Sequence, residues 1–345
     1  MLVALLVLCL AAGLLAPVLF EEQLVGFLTL NRPVKGEILV VEGWVDDMVV
    51  DHAAARFHSD GYSGVVATGS PIEPDFLMAT DGLLEYRLDG EGIMVHKGDT
   101  IRVCLRGTPM QDIYPFFALV LNDSVVYEAY ASGEWGVHRV VMASGLRLEN
   151  LGIFFGNDDH LGREDRNLIV RSVEVGGRVF PGRSPYSFQY DRKDRYKEHP
   201  SPTDFHSVAS ICAYGLVQGG VPPGQVTTLP SGEREKNRTL ASAMAVRHWL
   251  EREGLAGRCS LNVVSESIHS RRTYIIYHKV LKGTGCQVGM IPVSLEGDRY
   301  KGFTISRKDI AREMAGSLYY RLLFSTRRYL RRSGMERGDR KVTSS

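Results

Sequence analysis

The feature that most constrains this chain of 345 residues is a change of period along it. From "EILVVEGWV" (37–45), through a helical stretch at 49–59, to "GVVATGSP" (64–71), an apolar run, a helical repeat and a second apolar run follow one another as a β-α-β opening. Between residue 86 and about residue 180 the helical period disappears. In its place stand "IRVCLRG", "FFALVLND", "VVYEAYAS", "HRVVMAS", "LRLENLGIFFG" and "NLIVRSVEVGG", each bounded by Gly, Asn, Asp, Ser or Pro. Short strands at this spacing predict a β-sandwich. From residue 203 the first rhythm resumes, with helices at 203–219, 236–253 and 268–282 alternating with the strands "QVTTLP", "CSLNVVS" and "CQVGMIPV". The expected fold is therefore α/β, a Rossmann-like parallel sheet with helices on both faces, interrupted by an inserted all-β sandwich.

Leu2 to Phe20 is an uncharged run of 19 residues, long enough to cross about 30 Å of hydrocarbon as a helix. It predicts an N-terminal transmembrane helix, a single pass through the cytoplasmic membrane, and the bulk of the chain on the periplasmic or outer face. A cleaved signal peptide is the rival, but the run has no basic residue before it. The expected divisions are a membrane anchor at 1–30, a discontinuous α/β domain at 31–85 and 200–325, the inserted sandwich at 86–180, a linker at 181–199 and a basic tail at 326–345. The linker is Pro-rich and charged; the C-terminal stretch carries Arg321, Arg327, Arg328, Arg331 and Arg332 on an expected helix, which reads as a solvated basic helix with a frayed tail in preference to one lying on anionic lipid. A formal net charge of +1 selects no nucleic acid partner. Five cysteines at scattered positions, with no C-x-x-C pair, read as buried thiols.

Inside the strand-rich stretch, "GNDDHLGREDRNL" (156–168) places Asp158, Asp159, Glu164 and Asp165 in one loop. Carboxylates so close raise one another's pKa unless a cation or several donors neutralise them. A solvated acidic turn with Arg163 and Arg166 as partners is one reading. A bound Ca²⁺ is the other, because calcium takes six to eight oxygen ligands in irregular geometry whereas zinc would want more than the single His160.

The stretches "IRVCLRGTPMQDIYPFFALVLND" and "IFFGNDDHLGREDRNLIVRSVEVGG" resemble the calcium-dependent xylan-binding carbohydrate-binding modules over about residues 86–180. The resemblance implies that Asp158 and Asp165 belong to a calcium site, with Asp159 and Glu164 as further candidate ligands. It also implies a polysaccharide partner, xylan-like or another envelope glycan, whose hydroxyls complete the metal's shell. Tyr114, Tyr130 and Trp135 are the candidate stacking faces for a sugar ring.

In open parallel sheets ligands bind beyond the carboxyl ends of the strands. The residues there include Glu42, Gly43, Thr68, Gly69, Asn237, Arg238, Thr239, Ser265, His269, Arg271 and Arg272. Arg271 and Arg272 stand in the first turn of an expected helix, where the macrodipole disfavours cations, so a bound anion would explain them. His269 and Glu42 are the candidate acid–base residues. No G-x-G-x-x-G or Walker pattern follows the first strand, which argues against ordinary dinucleotide or nucleoside triphosphate binding.

The pieces "ILVVEGWVDD", "VVATGSP", "REKNRTLASAMAVRHWLEREG", "VVSESIHSRRTY" and "VGMIPV" resemble the envelope proteins of the SanA, ElyC and YdcF family. That resemblance implies a membrane-anchored envelope protein linked to cell-wall and lipid-carrier metabolism, and the cations at the strand ends add an α/β pocket for an anionic, phosphorylated ligand, of which a lipid-linked sugar is one form. The alternatives are a non-catalytic glycan-binding surface protein, or a cofactor of the S-adenosylmethionine type in the same pocket.

Overall fold

The computed structural model describes residues 21–161, 164–191, 201–232, 237–294, 299–300 and 303–325. Two compact units divide the chain. One is formed by residues up to Pro71 and from Ser207 onward, the other by Ile72–His206.

The discontinuous unit holds a five-stranded parallel sheet in the order Val226–Pro230, Gly64–Gly69, Ile38–Glu42, Ser260–Glu266, Gln287–Val293. The central strand ILVVE is buried at every position, as a strand covered on both faces must be. Its side chains alternate: Ile38 and Val40 pack into one apolar layer and Leu39 and Val41 into the other. Both edge strands contain proline, Pro230 and Pro292, where a missing N–H disturbs no ladder between two partners.

The helices are delimited by local chemistry. Asp46 caps Asp47–Asp60 by accepting from the Met48 N–H at 2.9 Å, and Gly61 ends it with a φ of 71°. A capping box of Ser207 and Ser210 starts Val208–Gln218. Both helices contribute to the layer around Leu39 and Val41. Arg238–Arg252, Ser270–Val280 and the last part of Arg307–Ser325 contribute to the opposite layer.

Ile72–His206 is built from antiparallel sheets. One runs Ser201–Pro202, Ser187–Asp191, Gly82–Arg87, Asn150–Phe155, Phe116–Leu121, Ser124–Tyr130; the other runs Arg178–Pro181, Asn167–Val175, Thr100–Thr108, Gly136–Val141, with Phe76–Met78 also paired to Asn167–Val175. Alternate residues such as Ile101, Val103, Leu105, Phe117, Leu119, Leu151, Ile153 and Phe155 form its core.

Two expectations are corrected here. The chain is not an α/β protein as a whole: it is β-rich, most of its described strands lie in antiparallel sheets, and one sheet is parallel. Period-based reading gave the parallel sheet too much weight, because its few helices are long and periodic while many of the intervening strands are only two to six residues. Among the described residues no helix is long and apolar enough to cross a membrane. The apolar run 2–20 and the basic tail 326–345 lie outside the described residues. Nor are all the cysteines thiols: Cys259 and Cys286 form a disulfide that joins the starts of two neighbouring parallel strands, while Cys104 and Cys212 are free.

Candidate functional site

In the sandwich, the loops 109–115 and 156–166 leave the same end of the two sheets. Asn157 ties them together, accepting from the Phe116 N–H at 2.7 Å and donating to the Tyr114 carbonyl at 3.1 Å. Arg166, only 5% exposed, donates to the carbonyls of Ile113 at 2.9 Å, Asn157 at 2.5 Å and Met110 at 3.3 Å. Its guanidinium therefore braces the loop backbone, and the surface partner expected for the acidic turn is not what it provides. Arg163 lies outside the described residues.

Asp158 is half-buried, and its N–H donates at 2.6 Å to Asp81, a further carboxylate beside the loop. Asp159, Glu164 and Asp165 are exposed. Asp159 accepts from the His160 N–H at 2.9 Å, Glu164 from the Gln111 N–H at 3.0 Å, and the Asp165 carbonyl from the Thr108 hydroxyl at 2.6 Å. Gln111 and its neighbour Asp112 both hold left-handed φ values, 50° and 60°, as a tight turn requires. The donor set fits calcium in kind, being hard oxygens, although among the described residues no three acidic, His or Cys groups gather around one point.

The three aromatic candidates separate. Tyr130 is 62% exposed and meets Phe116 only edge-on, at 5.6 Å between centroids. Tyr114 is partly buried beside Gly133, where a Cβ would come within 3.3 Å of its hydroxyl. Trp135 carries the Arg171 guanidinium 3.7 Å from its ring centroid, with Arg106 at 5.0 Å, so arginine already occupies its face.

A second site lies at the carboxyl ends of the parallel strands, where a cavity of about 550 Å³ is lined by Trp44, Asp46, Asn237, Arg238, Thr239, Glu266, His269, Arg272 and Tyr320, among others. His269 ends a short turn after Ser260–Glu266 and is 2% exposed. Its Nδ1 lies 3.1 Å from Glu313 Oε2, and its Nε2 lies 3.4 Å from the Thr239 hydroxyl. The Trp44 ring stands edge-on to the imidazole at 4.6 Å and fixes its plane. Arg272 reaches Glu313 at 2.9 Å and His269 Nδ1 at 2.8 Å. Asn237, at a φ of 66°, starts the Thr239 helix and accepts from the Tyr320 hydroxyl at 2.7 Å.

Glu42 is fully buried beneath this floor. Burial pushes its carboxyl up to about 8, against the pull of Arg272 and of the Trp44 and Tyr277 groups. The Tyr277 hydroxyl is 3.5 Å from Oε1, while Oε2 has no hydrogen bond. The Trp44 N–H lies near enough to favour the charge without making a full hydrogen bond, so the carboxyl is mostly protonated at neutral pH.

Not every sequence candidate faces this cavity. Arg271 turns to the Phe27 carbonyl and stacks on the Phe27 ring at 3.9 Å, so the three arginines do not share one anion site. Gly43 and Gly69 are small for packing: a Cβ would come within 2.2 Å of the Val208 carbonyl oxygen and 2.3 Å of the Val208 side chain, respectively. Thr68 is fully buried, and Ser265 is fully buried against Thr273 at 3.3 Å. Glu313 was not among the candidates. Its signal is the spacing of Glu313, Ser317, Tyr320 and Phe324, one inward stripe in which an acid occupies an otherwise burying position.

Residues 100–189 match the family model of calcium-dependent, xylan-binding carbohydrate-binding modules. This stretch encloses both loops and every candidate calcium and aromatic residue named above. No curated protein matches the sequence. Among solved structures, the chain is similar to a family two carbohydrate esterase from Cellvibrio japonicus, at 8% identity over 74% of this chain and 94% of that one, with a TM-score of 0.26. It is also similar to a family two carbohydrate esterase from Clostridium thermocellum in complex with cellohexaose, at 8% identity, 72% and 95% coverage and a TM-score of 0.21. An acetyl xylan esterase from the rumen bacterium Butyrivibrio proteoclasticus gives 8% identity, 76% and 96% coverage and a TM-score of 0.24. These likenesses are too distant to assign a fold or an activity. The resemblance to SanA, ElyC and YdcF finds no support among the matches.

Proposed function

We propose that this protein binds a xylan-type polysaccharide through a calcium ion held at the 156–166 loop. The observation that carries the reading is the family match over 100–189, which contains the acidic loop whole. Asp158 and Asp165 are the residues assigned to the metal, with Asp159 and Glu164 beside them. The Arg166 brace supports this reading, because it holds the loop backbone in place from within and leaves the exposed carboxylates to meet a ligand. Tyr130 is the stacking residue, as the most exposed of the three aromatic candidates. The protein works in an oxidising compartment outside the cytoplasm, a placement supported by the Cys259–Cys286 disulfide.

Retention of the full chain on insoluble xylan, with calcium and with excess chelator, tests the reading. Retention is expected with calcium alone and is expected to be lost in Asp158→Ala and Asp165→Ala. Equal retention in chelator overturns it.

A further inference from the structure

The pocket of the discontinuous unit has a chemistry of its own, and the argument for it does not depend on glycan binding. Three polar side chains from three separate elements meet there: Thr239 from the start of Arg238–Arg252, His269 from the turn after Ser260–Glu266, and Glu313 from Arg307–Ser325. All three are at most 7% exposed. Thr239 and His269 line the cavity of about 550 Å³, and Glu313 stands behind the imidazole. The order of contacts is hydroxyl, imidazole, carboxylate, at 3.4 Å and 3.1 Å.

We propose that Thr239, His269 and Glu313 form a nucleophile–base–acid relay that hydrolyses an O-acyl ester. Two neighbours compete for Nδ1 of His269. The Glu313 carboxylate favours a proton there, whereas Arg272, 2.8 Å away, favours a lone pair. Arg272 is at the same time paired to Glu313 at 2.9 Å. In the relay the Nδ1–H donates to Glu313 and Arg272 turns its N–H groups to Glu313 alone, which leaves the Nε2 lone pair for the Thr239 hydroxyl. The separation of 3.4 Å is loose, as contacts of this kind are before a substrate tightens them.

Thr239 also sits at the second position of its helix, where backbone N–H groups have no intrahelical acceptor. The reaction closes without a cofactor. Thr239 Oγ1 attacks the ester carbonyl carbon while its proton passes to His269 Nε2. The oxyanion formed is met by N–H groups of the helix start. The carbon–oxygen bond to the alcohol then breaks, and the alcohol leaves with the proton from His269. Water attacks the acyl-threonine, gives its proton to His269, and the carboxylic acid departs as Thr239 regains its own.

The test uses the full chain, a fluorophosphonate probe that modifies activated hydroxyl nucleophiles, and p-nitrophenyl acetate as the ester. Mass spectrometry is expected to place the adduct on Thr239 and to detect an acetylated intermediate on the same residue. Thr239→Ala is expected to lose both and to hydrolyse the ester roughly 10²–10⁴-fold more slowly, with Thr239→Ser restoring labelling and turnover. His269→Gln is expected to abolish labelling while Thr239 remains present. Circular dichroism melts select variants that fold as the parent does. A folded Thr239→Ala that keeps parental turnover, an adduct on another residue, or a parent chain that is neither labelled nor active overturns the assignment. None of these outcomes affects xylan retention, so the two proposals fail separately.

Discussion

Glu313 and His269, 44 positions apart in sequence, meet at 3.1 Å with 1% and 2% of their side chains exposed. Neither is placed by its neighbours in sequence: one comes from the far end of a strand and the other from a helix that follows the whole sheet. The meeting is costly unless both are satisfied, and Arg272 supplies the compensating charge.

Replacing Glu313 by Gln keeps the shape and removes the charge. Arg272 then loses its ion-pair partner in a largely desolvated site, which is expected to cost about 1–3 kcal/mol of stability. Urea unfolding at neutral pH measures it. A midpoint equal to that of the parent chain would mean that solvent already satisfies Arg272.

Glu42 makes stability depend on pH. Its carboxyl titrates near 8 in the folded protein and near 4.5 when exposed, so the native state holds a proton that the unfolded state has lost. Stability is expected to be unaffected by this group below pH 4.5 and to fall as pH rises from there to about 8. Burial sets this window; Arg272, Trp44 and Tyr277 narrow it and Glu266 widens it slightly. Glu42→Gln should flatten the decline, which thermal melts between pH 5 and 8.5 would reveal. A parallel decline in the variant would assign the dependence to another group.

Much of this was legible in the sequence, and the reasons it was not wholly so are physical. The buried strand "ILVVE" announced itself as an uninterrupted apolar run, and the sandwich segments announced themselves by alternation and turn residues. Glu42, His269, Thr239 and Arg272 were visible because strand ends in a parallel sheet share one edge. Glu313 was hidden because a single acid in a helix reads as surface until packing shows which stripe faces inward. Arg271 misled for the same reason, since adjacent helical residues point about 100° apart and only one can face the cavity. The disulfide could not be read from spacing, as Cys259 and Cys286 are distant in sequence and meet only once two parallel strands are laid side by side. The long helices drew attention away from the short antiparallel strands, which set the class of the chain.

The aromatic residues of the sandwich should divide by role. Tyr130→Ala is expected to weaken xylan retention by about 1–3 kcal/mol if its open face stacks on a sugar ring, with little change in melting temperature. Trp135→Ala removes the platform under Arg171 and is expected to lower stability while leaving retention close to the parent value. Affinity electrophoresis in xylan gels, beside thermal melts of the same variants, separates the two effects. The opposite pattern would move the sugar face to Trp135.

Gly43→Ala is expected to destabilise the parallel sheet strongly, by about 2–4 kcal/mol, because its Cβ would fall 2.2 Å from the Val208 carbonyl oxygen, which is backbone and cannot swing away. Gly61→Ala meets no atom within 4 Å, and at a φ of 71° it should cost only about 1 kcal/mol. Chemical unfolding of the pair compares the two costs directly. Equal costs would mean that the helix start at Val208 yields.

Pro71 and Ser207 pair as an antiparallel bridge, and the Val208 N–H donates to the Ser70 carbonyl at 2.9 Å. The chain thus departs from the parallel sheet and returns to it at one stitched point. Closing a loop costs free energy only as the logarithm of its length, so once the stitch is made the sheet is nearly indifferent to how much chain hangs from it. The geometry is that of a splice junction: shortening, lengthening or exchanging what lies between Ile72 and His206 is expected to leave Ile38–Glu42 and its neighbours in register, which urea unfolding of a chain with 72–206 replaced by a short linker would check.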